Sequence, residues 1–227
     1  MKRKNFLKNS LMGFGAIIGI PTTLTACDKN QSNDQGDCEV SPSETAGPFP
    51  IKTPAQLVRE NIISDRKGIP LLINITIQNQ KDNCKPLSDV FVDIWHCDSQ
   101  GYYSEYGGVS LQQEDFTQHH FLRGRQTTDL TGKVSFLSIY PGWYPGRAPH
   151  IHVEVLNQNE KSLLVSQIAF PDEISDTVYA SSDYKGSADT TNQTDFLFLD
   201  SLDGNMASVS GNMQDGYVLE HTIVVRT

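Results

Sequence analysis

His150 and His152, flanking Ile151, have the type and spacing for metal chemistry. On a β-strand, residues i and i+2 face the same way with Cα atoms ~6.6 Å apart, so two imidazoles can converge on one ion. Alone, the pair is better explained as half-exposed strand histidines. Its surroundings add weight. Just upstream, Tyr140-Pro141-Gly142-Trp143-Tyr144-Pro145-Gly146-Arg147 packs two turns, three aromatic rings and an arginine into eight residues.

Positioning such a pair needs strands, and the chain supplies them. Alternating or β-branched runs predict strands at residues 71–77, 90–95, 133–139, 150–155, 163–170 and 218–225. Asp129-Leu130-Thr131-Gly132 is a turn leading into the third of these, with Gln126-Thr127-Thr128 before it. Residues 193–203 are expected to form a short helix. Many short strands divided by Gly/Pro turns argue for an all-β fold, a sandwich or barrel in a single domain with little helix.

The 227 residues carry 18 basic and 27 acidic side chains, a net charge of −9. Lys2, Arg3, Lys4 and Lys8 stand in the first 26 residues with no acidic partner, leaving a body of −13. Such a body repels phosphate backbones, which argues against a nucleic-acid partner. Leu11 to Ile20 is an apolar run of ten residues, the length of a signal-peptide core and too short to span a bilayer. Leu24-Thr25-Ala26-Cys27 follows and resembles a bacterial lipoprotein signal with Cys27 as the acylated residue. Arg3-Lys4-Asn5-Phe6-Leu7-Lys8 resembles a twin-arginine export motif with lysine in the second arginine position. The expected order is a signal peptide over 1–26, a polar tether over 27–43 and a domain over 44–227. The protein is then exported to the cell envelope, on the periplasmic side or the cell surface, and meets the membrane only through its N-terminal lipid. With Cys27 lipidated, Cys38, Cys84 and Cys97 remain, and any one disulfide leaves one thiol over.

Residues 126–155, QTTDLTGKVSFLSIYPGWYPGRAPHIHVEV, closely resemble the intradiol ring-cleavage dioxygenases, the catechol and protocatechuate class. Trp95-His96-Cys97-Asp98-Ser99-Gln100-Gly101-Tyr102-Tyr103 is similar to that family's upstream Trp…Gly-x-Tyr segment. Glu44-Thr45-Ala46-Gly47-Pro48-Phe49 is similar to its entry motif. The likeness runs over roughly residues 38–225. It implies a β-sandwich and a mononuclear non-haem Fe(III) site with Tyr103, Tyr144, His150 and His152 as ligands. It also implies catalytic roles for Arg147, Gln167 and Tyr144, the last being the ligand that substrate displaces. Tyr102 competes with Tyr103, and adjacent residues on a strand would face opposite ways. His96, His119, His120 and His221 are expected to pack or lie at the surface.

The implied ligand set is chemically coherent. A free phenol has a pKa of ~10, and only a strongly acidic cation removes its proton at neutral pH. The implied reaction takes a small aromatic diol and O2 and opens the ring between the hydroxylated carbons to a cis,cis-muconate-type diacid. Unlike the better-known members, this chain places only Pro145 and Gly146 between Tyr144 and Arg147. It also lacks the long helical N-terminal dimerisation segment. An open pocket for bulky catechols is therefore expected. Two other readings compete: a catalytically degenerate aromatic-binding lipoprotein, and a copper or zinc protein using His150 and His152.

Overall fold

The computed structural model describes residues 38–227. The expected signal peptide, the expected acylation site Cys27 and most of the expected tether lie outside the described residues. Among the described residues, nine strands build two sheets. They are β1 (Pro70–Asn79), β2 (Lys85–Pro86), β3 (Phe91–Trp95), β4 (Arg123–Thr127), β5 (Lys133–Ile139), β6 (His150–Leu156), β7 (Ser162–Ala169), β8 (Ser208–Asn212) and β9 (Gly216–Val225). The first sheet has the order β2-β1-β9-β8, with β5 also paired to β1, and the second the order β4-β3-β6-β7. All pairs are antiparallel except β1 with β9, which run parallel from Leu71–Tyr217 to Asn79–Val225.

The predicted alternation explains the sandwich. Leu71, Ile73, Ile75 and Ile77 on β1 are completely buried, and their neighbours are only partly so. From the facing sheet, Val92, Ile94, Ile151, Val153, Val155 and Ile168 meet them in one continuous core. Burying each such side chain contributes about 1.5–3 kcal/mol, which sets the register of both sheets. The six expected strands all form. Strand β4 was visible only as the lead-in to a turn, because its Arg-Gly-Arg sequence lacks apolar alternation. Strand β8, Ser-Val-Ser-Gly-Asn, is hidden for the same reason.

Two α-helices form among the described residues, α1 (Asp172–Tyr179) and α2 (Leu202–Asn205). The helix expected over 193–203 is replaced by turns as far as α2, which takes only its last residues. Asp195 bends that segment inward, as described below. Helix α1 was not expected. It starts directly after Pro171 and buries Val178 and Tyr179 against the core.

The chain is fastened earlier than the expected domain start at residue 44. Cys38 is disulfide-bonded to Cys84, which leaves Cys97 as the buried free thiol. Ser41 N donates to Val224 O on β9, and Glu44 N donates to Val165 O on β7. Residues 38–49 thus form a strap that crosses from the first sheet to the second and ends over the outer face of β6.

Candidate active site

The outer face of the second sheet carries a row of four paired residues. Arg123 on β4 lies opposite Trp95 on β3, Trp95 opposite His152 on β6, and His152 opposite Gln167 on β7. Two residues earlier on the same face of β6 stands His150. The period of two that sends Ile151 and Val153 into the core turns these side chains away from it. There they are covered by the strap, by the β3–β4 loop and by the segment linking β5 to β6. The Trp95 and His152 rings are stacked, with centroids 5.2 Å apart.

The strap lies against His152 through Gly47. A Cβ there would come within 2.7 Å of His152 Cε1, and φ is +70°, so the Gly of the entry motif is required on both counts. The segment bearing Tyr144 is seated by Gly142, whose missing side chain makes room for the backbone of Asp98 and Ser99.

Tyr103 enters from the β3–β4 loop. Its backbone is held by Gln112, which accepts from Tyr103 N at 2.7 Å and donates to Tyr103 O at 2.8 Å. Arg123 fixes the same loop to the strap, donating to Ser104 O at 2.6 Å and to Phe49 O at 3.0 Å. Tyr103 packs with Phe49, Trp95 and Cys97, and its ring abuts those of Tyr144 and His152 at 5.7 and 6.1 Å. Tyr102 is a loop residue rather than a strand residue, and it packs on Phe116 instead.

The polar atoms converge closely. Tyr144 Oη lies 3.0 Å from His150 Nε2, and His150 Nε2 lies 3.1 Å from His152 Nε2. His150 Nδ1 must donate to Ala148 O, 2.6 Å away, because a carbonyl only accepts. That leaves His150 Nε2 as a bare lone pair aimed into the cluster. The buried Tyr103 hydroxyl and His152 Nδ1 have no hydrogen-bond partner. Burial, reinforced by the charge of Arg147, lowers the His150 pKa to about 3. Burial holds His152 well below its ordinary value as well, so both rings are neutral donors. The same burial raises Tyr144 to about 12 and Tyr103 well above 10.

These geometric features sit within the part of the chain that matches a known family. Residues 47–192 match the family model described as Dioxygenase. The structure is similar to the intradiol ring-cleavage dioxygenase from Tetranychus urticae, with 29% identity, a TM-score of 0.74, and coverage of 83% of this chain and 95% of that one. The chain belongs to the intradiol ring-cleavage dioxygenases.

Within this family it is also similar to the dioxygenase domain of a carbohydrate-binding fusion from Streptomyces sp. SirexAA-E, at 27% identity and a TM-score of 0.60. That likeness covers 83% of this chain and 99% of the other. The protocatechuate 3,4-dioxygenase beta chain of Burkholderia cepacia is 31% identical over 47% of this chain and 48% of its own length. The catechol 1,2-dioxygenase of Candida albicans is 27% identical over 74% of this chain and 59% of its own. The chain spans about half the length of the curated relatives it matches.

Arg147 and Gln167, singled out with the family's motifs, meet beside the cluster. Arg147 NH2 donates to Gln167 Oε1 at 2.5 Å, and its NH1 points at Tyr144 Oη, 3.4 Å away. Gln167 Nε2 donates to Thr45 O in the strap at 2.8 Å. Three supporting residues escaped the sequence patterns: Gln112, Arg123 and Asp195. Arg123 and Asp195 act on partners distant in sequence and Gln112 on one nine residues back, and each sits in a loop or a polar strand without periodicity. His96 packs as expected, bonded through both ring nitrogens to Cys97 O and Ser138 Oγ.

Proposed function

We propose that this chain is a non-haem Fe(III) dioxygenase that inserts both atoms of O2 into a catechol-type diol. The ring opens between the hydroxylated carbons, and the two new oxygens end in the carboxylates of a cis,cis-muconate-type diacid. Members of the family use non-haem iron. The residues here fit it. Among the described residues no three His, Cys, Asp or Glu side chains are placed to hold a metal ion together, so a site at His150 and His152 would draw on the phenols. Two neutral imidazoles and two phenols, one with an orphaned buried hydroxyl, suit a hard trivalent cation acidic enough to ionise the phenols.

The observation that carries the reading is the convergence of Tyr144 Oη, His150 Nε2 and His152 Nε2 within about 3 Å steps, beside the partnerless Tyr103 hydroxyl. Tyr103, Tyr144, His150 and His152 would hold the ion, and ferric iron bound there would supply the acidity that ionises the phenols and the electron transfer that couples the diol to O2. The rest falls to the protein. Trp95, Phe49 and the Gly47 strap exclude water from the histidines. Tyr144 is the half-buried phenol of the two, so an incoming diol meets it first. Its ionised Oη is placed to take a proton from a substrate hydroxyl, and Arg147 NH1 steadies the charge left behind. Only Pro145 and Gly146, both exposed, separate these two residues, which supports a pocket open to substituted catechols.

The cell-envelope location and the lipid on Cys27 belong to the same proposal. The Cys38–Cys84 disulfide supports it, since such bonds persist in oxidising compartments. Cys27→Ser should release the protein from the membrane fraction or leave its signal uncleaved; unchanged retention with normal processing would end that part.

The test of activity is iron analysis, visible spectroscopy and oxygen uptake on purified, iron-loaded protein. The panel is catechol, protocatechuate, hydroxyquinol and chlorinated or alkylated catechols. One iron per chain, a visible tyrosinate charge-transfer band and a muconate-type product are expected. A colourless protein, or a yellow semialdehyde product, would overturn the reading.

A further inference from the structure

Asp195 lies outside the stretch that matches the family model, and nothing in the ring-cleavage reading so far uses it. Its carboxylate is completely buried. Such a group persists only when its partners offset the lost hydration. Both oxygens accept from Arg147 Nε, at 3.0 and 2.8 Å. Oδ2 also accepts from Ala148 N at 2.9 Å and Oδ1 from Leu197 N at 3.0 Å. Asp195 therefore clips three things together: the guanidinium, the start of the approach to His150, and its own loop.

The other edge of the guanidinium is equally committed. NH2 donates to Gln167 Oε1, and Gln167 is itself tied to Thr45 O. NH1 alone is left with a single long contact, 3.4 Å to Tyr144 Oη. A planar fork with Nε and NH2 both held cannot rotate, so the direction of NH1 is fixed before substrate arrives.

We propose that Asp195 is the positioning residue for Arg147: it holds the guanidinium through Nε so that NH1 alone faces the reacting oxygens, and it offsets part of the arginine's charge. This rests on the ring-cleavage reading above. Arg147 then acts as a directed donor rather than a free cation. A carboxylate on the substrate ring finds no unpaired charge at this arginine, so the site favours uncharged catechols over carboxylated ones.

The experiment compares iron-loaded wild type, Asp195→Asn, Arg147→Lys and the double variant. Asn keeps the shape and one acceptor but removes the charge and the second acceptor. Asp195→Asn should keep iron and the charge-transfer band while kcat on catechol falls about 100-fold, the usual cost of a misplaced catalytic group. The ratio of kcat/KM for 3,4-dihydroxybenzoate to that for catechol should rise about tenfold, because the arginine's charge is released. In the Arg147→Lys background, Asp195→Asn should cost less than about threefold more, since the two act as one unit.

Wild-type kcat in Asp195→Asn would overturn the assignment. So would an unchanged substrate ratio with activity lost only in step with iron, or an equal cost in both backgrounds. If Asp195→Asn does not fold, the Arg147 Nε–H signal of the wild type decides by nitrogen-15 NMR. Strong protection from solvent exchange is expected, and exchange as fast as in free arginine would overturn the clip with turnover intact. Absence of turnover on every diol, with Nε–H protected, would instead overturn the ring-cleavage reading and with it the reaction Asp195 serves.

Discussion

The two faces of β6 are equally dry and chemically opposite. Ile151, Val153 and Val155 point into the sandwich, and His150 and His152 point away from it, all with no more than 2% of their surface exposed. The inner side chains have no polar atoms to satisfy. The outer ones bring ring nitrogens into a cluster where a lone pair is crowded and a neighbouring hydroxyl has no partner. His96 makes the contrast sharper, because it is just as buried on the inner side but bonds through both nitrogens. Burial alone therefore does not distinguish a core from a site. Unmet polar capacity does.

The largest effect should come from the outer face. His152→Ala should lower iron content at least tenfold and oxygen uptake by about a thousandfold or more, because a ring donor has no substitute on that face. Retained iron in this variant would break the contrast outright. The inner face should behave in the opposite way. Ile151→Ala should cost about 3 kcal/mol in urea unfolding, through lost burial and a residual cavity, while iron per folded chain stays unchanged.

Acid should act on both faces of the metal-free protein. His96 is lowered to about 4 and His150 to about 3, in each case chiefly by burial, and His152 shifts the same way. Below pH 6.5 the unfolded chain takes up protons that the native state refuses. Stability is then complete above 6.5 and drains as pH falls toward 4, by about 1 kcal/mol per buried imidazole at pH 5.5. Flat stability between pH 7 and 5 in chemical unfolding would contradict this. The smallest effect has an unusual sign. Tyr103→Phe removes a buried hydroxyl without a partner, so the metal-free variant should be about 1 kcal/mol more stable than wild type. It should nonetheless bind ferric iron more weakly, as titration of the charge-transfer band would report.

The inner face was the legible one. Period-two alternation exposes β1, β3, β5, β6, β7 and β9 because one side of each meets the core. It says nothing about Arg123–Thr127, where the inward positions are Gly124 and Gln126 and the arginines face outward. The histidine pair was visible by spacing, but its phenolic neighbours came from likeness to a family. Asp195 was out of reach, since its partner lies 48 residues away and neither residue stands in a periodic element. The Cys38–Cys84 pairing was equally undetermined, because three thiols allow three pairs and only the fold brings two together.

The parallel pairing of β1 with β9 sets an order of events in folding. Strands β3, β4, β6 and β7 are joined by connections within the middle of the chain, and β1 can pair with β5 there too, whereas its other edge must wait for a strand that begins at Gly216. The strap waits in turn, because Ser41 is bonded to Val224 on β9 before the chain reaches Gly47 and His152. The histidines should thus align early and be roofed last. In refolding with ferric iron present, backbone β signal should rise first, and the tyrosinate colour should follow with the slow closure of the β1–β9 pair.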